Sequence, residues 1–339
     1  MYFYYDNDLN AYPTLAEAVK SQKKCWLYFH DDAFSKVNWK IEPTFPLDEL
    51  YKRRALYLRE KYQYLILCYS GGTDSTAMLE TFYYNNIHID EILVVGALSQ
   101  DPHSGSDINH NGDLYHNAFP LLNKLSFPNT KITISDYTEY FRNDKVHEFT
   151  LFQKYGNEWA KYIGSLQSVH NIFWSDLRRI LGIRNNKETA VILGHDKTRV
   201  EYDENGKAFT RFSNLAFCAY GNNFDDENFR FVFFYTAPDQ TAVDIIAKQA
   251  HVLYRTEQLC KSLNKPIPET HDIYYRYKNP ISFMSEKTKL SVLSPRDTFM
   301  INKKDSEIYK MYVEGMKVLK EYMPLDRKHC IFTRRYYIT

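Results

Sequence analysis

The residues best suited to do chemistry are Ser70-Gly71-Gly72-Thr73-Asp74-Ser75. Paired glycines let a backbone approach an anion with no Cβ in the way. Ser70, Thr73 and Ser75 add hydroxyl donors, and the following TAMLETFYY reads as a helix. That helix points its unbonded N–H groups and the positive end of its dipole at the same spot, so the loop is built to hold a phosphate group. Asp74 stands out in an anion nest; it either orders the loop or meets a magnesium ion accompanying the phosphates. A Walker A loop requires G-x-x-x-x-G-K-[ST], and the lysine is missing.

The elements that must position this loop are legible as hydrophobic runs. Before it lies YLILCY (64–69), a continuous apolar stretch of the kind found in a strand buried on both faces. EILVVGAL (91–98), KITISD (131–136) and TAVILGH (189–195) read as further strands. Between them DLYHNAFPLLNKL reads as a helix, and long helices are expected over roughly residues 137–183. Strand and helix in alternation predict an α/β fold with a doubly wound parallel sheet and helices on both faces. Upstream, PTLAEAVKSQ reads as a helix, CWLYFH as a short strand and PLDELYKRRALYLREKY as an amphipathic helix. Downstream, VEYDENGKAFTRF predicts a hairpin around Glu204-Asn205-Gly206. FRFVFFYTA (229–237) reads as a strand, PDQTAVDIIAKQAHVLYRTEQL as a helix and DSEIYKMYVEGMKVLKEYM as another. Pro238-Asp239-Gln240-Thr241 is either a substrate loop at a strand end or the cap of the next helix.

In its strand–loop–helix setting the chain resembles the PP-loop ATP pyrophosphatase superfamily, whose signature is S-G-G-x-D-S. The likeness covers roughly residues 60–200 and identifies no subfamily. It implies a Rossmann-like ATP-binding domain over 61–200, preceded by a lead-in segment (1–60) and followed by a mostly helical acceptor-side region (201–339). It also implies nucleotide contacts at the ends of the second and fourth strands. Those ends read Val94-Val95-Gly96-Ala97 and Gly194-His195-Asp196-Lys197. Gly194 would permit close approach, His195 or Lys197 would face phosphate, and Asp196 would take a metal. By that likeness the chemistry falls to Asp74, Ser75 and Lys197. Nucleotide binding falls to Ser70 through Ser75 with Val95, Gly96, Gly194 and His195, and magnesium to Asp74 and Asp196.

The implied reaction is cleavage of ATP between its α and β phosphates. A substrate oxygen attacks the α-phosphorus, pyrophosphate leaves, and a nitrogen or sulfur nucleophile displaces AMP. The five cysteines (Cys25, Cys68, Cys218, Cys260, Cys330) are dispersed and form no C-x-x-C pair, which favours C–N bond formation over thiolation. The same spacing argues against a disulfide scaffold and a four-cysteine zinc site. Residue 2 is Tyr, so no terminal-cysteine glutaminase is expected, and nitrogen would arrive as ammonia, an amine or from a partner. Alternatives are a tRNA- or nucleobase-modifying thiolase-like protein, a relative of the adenylylsulfate reductases, and a nucleotide-binding protein without turnover.

Two other constellations have chemistry in them. Asp107-Ile-Asn109-His-Asn111-Gly112-Asp113 repeats the first positions of a calcium loop, but Ala118 stands where the bidentate glutamate belongs, leaving an Asn-Gly turn or a substrate loop. His103, His110 and His116 nearby are read as solvated. The tail carries Arg327, Lys328, Arg334 and Arg335 among Phe332, Tyr336 and Tyr337; it suits either tRNA contact or, preferably, a terminal strand with a charged face. A formal charge of +1 excludes a generic polyanion binder. The 29 Tyr, 22 Phe and 4 Trp are spread along the whole chain and read as compositional bias rather than a base-stacking surface. No run approaches the ~18 apolar residues of a membrane span, and the start is acidic where a signal peptide is basic, so a cytoplasmic protein with no membrane partner is expected, with a homo-oligomer or a nitrogen-donating partner as the options for assembly.

Overall fold

The computed structural model describes residues 4–13, 17, 18, 21, 23–96, 114–136, 188–194, 198–212, 229–267 and 333–339. Its centre is a five-stranded, wholly parallel sheet built from β4 (Tyr64–Cys68), β5 (Glu91–Gly96), β6 (Lys131–Asp136), β7 (Thr189–Leu193) and β10 (Phe229–Phe233). The spatial order is β10-β7-β4-β5-β6. The chain therefore steps outward from β4 through β5 to β6, then returns to lay β7 and β10 on the other side of β4. The boundary drawn near residue 200 falls between these last two neighbours.

Alternation along each strand sorts the side chains onto two faces. Leu65, Leu67, Ile92, Val94, Ala190, Ile192 and Val232 face the helices α2 (Leu47–Lys61) and α3 (Thr73–Tyr84). Helix α2 presents Leu50, Tyr51, Ala55 and Leu58, and α3 presents Met78, Leu79 and Phe82. Ile66, Cys68, Leu93, Val191, Leu193 and Phe233 face the opposite way.

The second face carries less helix than the first among the described residues, and the helices expected over 137–183 lie outside them. Among the described residues it is covered largely by two small sheets and the short helix α1 (Asp31–Phe34). One sheet joins β1 (Tyr4–Asp6), β2 (Ala11–Tyr12) and β3 (Cys25–Leu27); the other joins β8 (Glu201–Tyr202), β9 (Ala208–Thr210) and β11 (Tyr336–Tyr337). Their inward side chains are aromatic. Phe34 packs edge-on against Trp39 and Tyr336, with centroids 5.6 and 5.8 Å apart, and the Trp39 Nε1–H donates to the Phe34 carbonyl at 2.9 Å. Helix α5 (Gln240–Ser262) serves both sides, giving Val243, Ile246, Ala247 and Ala250 to the second face and Ile245 and Leu253 to the first.

The hairpin falls where the sequence puts it, with Gly206 at φ +76° in the turn and its N–H donating to the Asp203 carbonyl at 3.0 Å. The expected helix over DLYHNAFPLLNKL is instead a π-helical turn, Leu114–Ala118, followed by α4 (Phe119–Lys124). Pro120 explains the break: it suits the first turn of a helix and not its interior. The tail is a terminal strand whose Tyr336 and Tyr337 pair with Thr210 and Phe209. Arg334 lies over the Tyr5 ring at 4.8 Å, and Arg335 lies over Phe209 at 4.8 Å and 3.6 Å from Glu204. The helices expected near 137–183 and 305–323 lie outside the described residues, as do most of PTLAEAVKSQ and Arg327, Lys328 and Phe332. No helix among the described residues is long and apolar enough to cross a membrane.

Candidate functional site

The loop Ser70–Ser75 leaves the carboxyl end of β4, the central strand, and its last residues open α3. Gly71 sits at φ +79°, a left-handed conformation that a Cβ would strain. Around it the serines close a small ring: Ser70 N–H donates to Ser75 Oγ at 3.3 Å, and Gly72 N–H donates to Ser70 Oγ at 3.3 Å. The two hydroxyl oxygens are 3.1 Å apart, and Ser75 Oγ donates to the Gly72 carbonyl at 3.0 Å. Ser75 thus shapes the loop, and its proton is directed inward. Thr73 is half-buried and Ser70 is exposed.

Helix α3 begins without a side-chain cap. Its first amides carry the partial positive charge of the helix end, and an anion such as a phosphate group can accept from them. Asp74, half-buried in the first turn, is the one acidic residue there. Its carboxylate also complements the helix dipole, and its charge reaches Tyr51: burial pushes the Tyr51 hydroxyl well above its ordinary value and Asp74 adds to the effect, against the hydrogen bond from Gln249.

Neighbouring strand ends hold the first turn in place. A Cβ on Gly194, just past β7, would lie 3.2 Å from Ser75 N and 3.3 Å from both the carbonyl carbon and Cβ of Asp74. The close approach that this glycine permits is therefore to the loop's own backbone. Just past β10, the strand beside β7, the Tyr235 hydroxyl donates to the Asp74 carbonyl at 2.9 Å. Val95 and Gly96 end β5, beside β4; Val95 packs against the second-face core and Gly96 pairs with Asp136 on β6. The fold thus brings Ser70 through Ser75, Val95, Gly96 and Gly194 to one edge of the sheet. His195, Asp196 and Lys197 lie outside the described residues, as do residues 101–113 with His103 and His110.

Sequence reasoning missed the exit of β10. There the fully buried Arg54 of α2 donates from Nε to the Phe234 carbonyl and from one terminal nitrogen to the Phe233 carbonyl, each at 3.0 Å. Its other terminal nitrogen meets Asp239 at 2.6 Å. Asp239 also accepts from Ala242 N–H as the cap of α5, which settles Pro238–Thr241 as a cap. Burial alone would raise the Asp239 carboxyl, and the guanidinium overrides this to hold it below the usual carboxylate range. His30, at φ +51° ahead of α1, is pushed down to about 4 by burial, against the pull of Asp239. Arg54 did leave a signal: it lies four residues from both Leu50 and Leu58 on the buried stripe of α2. Tyr235, 161 residues from its partner, left none.

No group of three or more potential metal ligands occurs among the described residues. A single carboxylate in the first turn after such a loop could hold magnesium that arrives on nucleotide phosphates, an ion that keeps water and phosphate ligands and needs only one or two from protein. The buried thiols Cys25 and Cys68 are free, and burial pushes both upward, Cys68 the further. Such thiols are poor nucleophiles. Compared with known proteins, the chain matches no protein-family model and no curated protein.

Proposed function

We propose that the chain is an ATP-dependent enzyme that adenylylates an acceptor and releases pyrophosphate. The supporting observation is the Ser70–Ser75 loop at the carboxyl end of β4, where the strand order reverses towards β7. A crevice at such a reversal is where doubly wound sheets bind nucleotides. The glycine in left-handed conformation, the uncapped start of α3 and the adjacent Asp74 suit a phosphate chain carrying magnesium. The resemblance to PP-loop pyrophosphatases supplies the choice of bond.

In this reading an acceptor oxygen attacks the α-phosphorus, the bond from that phosphorus to the α–β bridging oxygen breaks, and pyrophosphate departs with the electron pair. The amides of Thr73 through Ser75 face the charge that grows on the leaving group. Asp74 and, through the resemblance, Asp196 would hold a magnesium ion, which would supply positive charge to offset that of the leaving group. Loop and helix position and stabilise, and no general base among the described residues is required. A nitrogen nucleophile then displaces AMP to form a C–N bond.

Chromatography of Mg-ATP incubated with the full chain and a small-molecule cell extract tests this. AMP and pyrophosphate are expected from the native sequence, with a loss of roughly 100-fold in Asp74→Ala, the scale of removing one electrostatic contact from a transition state. ADP and phosphate as products, or binding without cleavage in every extract, overturns it.

A further inference from the structure

We infer that Tyr235 is a positioning residue of the Ser70–Ser75 loop, and that Arg54 acts through it; the inference rests on the nucleotide-binding reading of that loop. The segment following β10 is fixed at three points. Arg54 binds the carbonyls of Phe233 and Phe234, the next residue donates its hydroxyl to Asp74, and Asp239 returns to Arg54. Arg54 is 0% exposed, so this anchor is shielded from competing water. Tyr235 is 1% exposed, and its ring packs edge-on against Tyr51 at 5.7 Å and against Phe234 at 5.1 Å, which leaves the hydroxyl little freedom to swing away.

The contact falls on the main chain of residue 74, one residue inside the first turn of α3. Gly194 packs against the same peptide. With both grips in place the amides that face a ligand are held before it arrives, and binding loses less freedom than a frayed helix start would. Tyr235 touches no reacting atom in this account. It sets the orientation of those that do.

Tyr235→Phe removes the hydroxyl and keeps the ring. Tyr336→Phe is the control: its hydroxyl donates to Asp31 Oδ1 at 3.0 Å, and its ring, 7% exposed, lies in the core of the sheet face opposite α3. Amide hydrogen exchange of Thr76–Met78 in the unliganded full chain, and the Mg-ATP dissociation constant, are measured for both. A net hydrogen bond is worth about 1 kcal/mol, or about fivefold. Tyr235→Phe is expected to speed exchange and weaken ATP binding by about that factor, while Tyr336→Phe lowers thermal stability and moves neither. Equal responses from the two variants, or unchanged exchange or affinity in Tyr235→Phe, overturn the inference. If the native chain fails to bind Mg-ATP, the nucleotide reading falls, and exchange alone decides whether Tyr235 braces the helix start.

Discussion

A single methyl group at position 194 is enough to test whether the loop's position matters. An alanine Cβ there would press on Ser75 N and on the carbonyl carbon and Cβ of Asp74, and the atoms that must yield are those of the helix start. Overpacking of this kind costs roughly 1–3 kcal/mol. Gly194→Ala is expected to lower the melting temperature and raise the Mg-ATP dissociation constant, read together by calorimetry. His30 sets a pH response. Its folded pKa of about 4 lies below its ordinary 6.5, so between those values the unfolded chain takes up a proton that the folded chain refuses. Stability is whole above about 6.5 and falls as pH drops towards 4, by about 3 kcal/mol at 1.4 kcal/mol per unit. Denaturant titrations from pH 7.5 to 4.5 should show the fall, and His30→Phe should flatten it. The glycines and serines of the loop announce themselves because their chemistry is local. Gly194 was legible as a close-approach residue, but the partner it approaches was not, since Asp74 lies 120 positions away in the chain and apposes it only through the pairing of β4 with β7.

At the scale of elements, α2, β10 and α5 are joined through one buried ion pair. Asp239→Asn preserves an oxygen able to cap α5 and removes the charge that compensates Arg54. Leaving a buried guanidinium uncompensated costs about 3–5 kcal/mol, so urea unfolding should show a loss of that order, against about 1 kcal/mol for a lost cap alone. The parallel strands were readable because both of their faces are buried, which writes them as unbroken apolar runs such as TAVIL and YLILC. The small sheets were less so. Strands of two or three residues carry too few positions for a period, and β11 finds β9 across more than 120 residues. The tail's Arg334 and Arg335 read as a basic patch in sequence; in space both lie over aromatic rings of other strands.

Across the whole molecule, the two faces of the central sheet are assembled from very different spans of chain. Among the described residues the helical face draws its buried side chains from Leu50 to Leu253, whereas the opposite face draws them from Tyr4 to Ile338. On the second face Phe29, Phe34, Trp39, Phe212 and Tyr336, far apart in the chain, form one aromatic layer. Tyr336 closes it by donating to Asp31, 305 positions earlier, at 3.0 Å. Biosynthesis meets these faces in order. At ~5–20 residues per second, the buried residues described for the helical face are all made several seconds before Tyr336. During that interval a half-finished sheet would present Phe34, Trp39 and Phe212 without their last cover, so the nascent chain, more than the finished protein, is the form that calls for a chaperone.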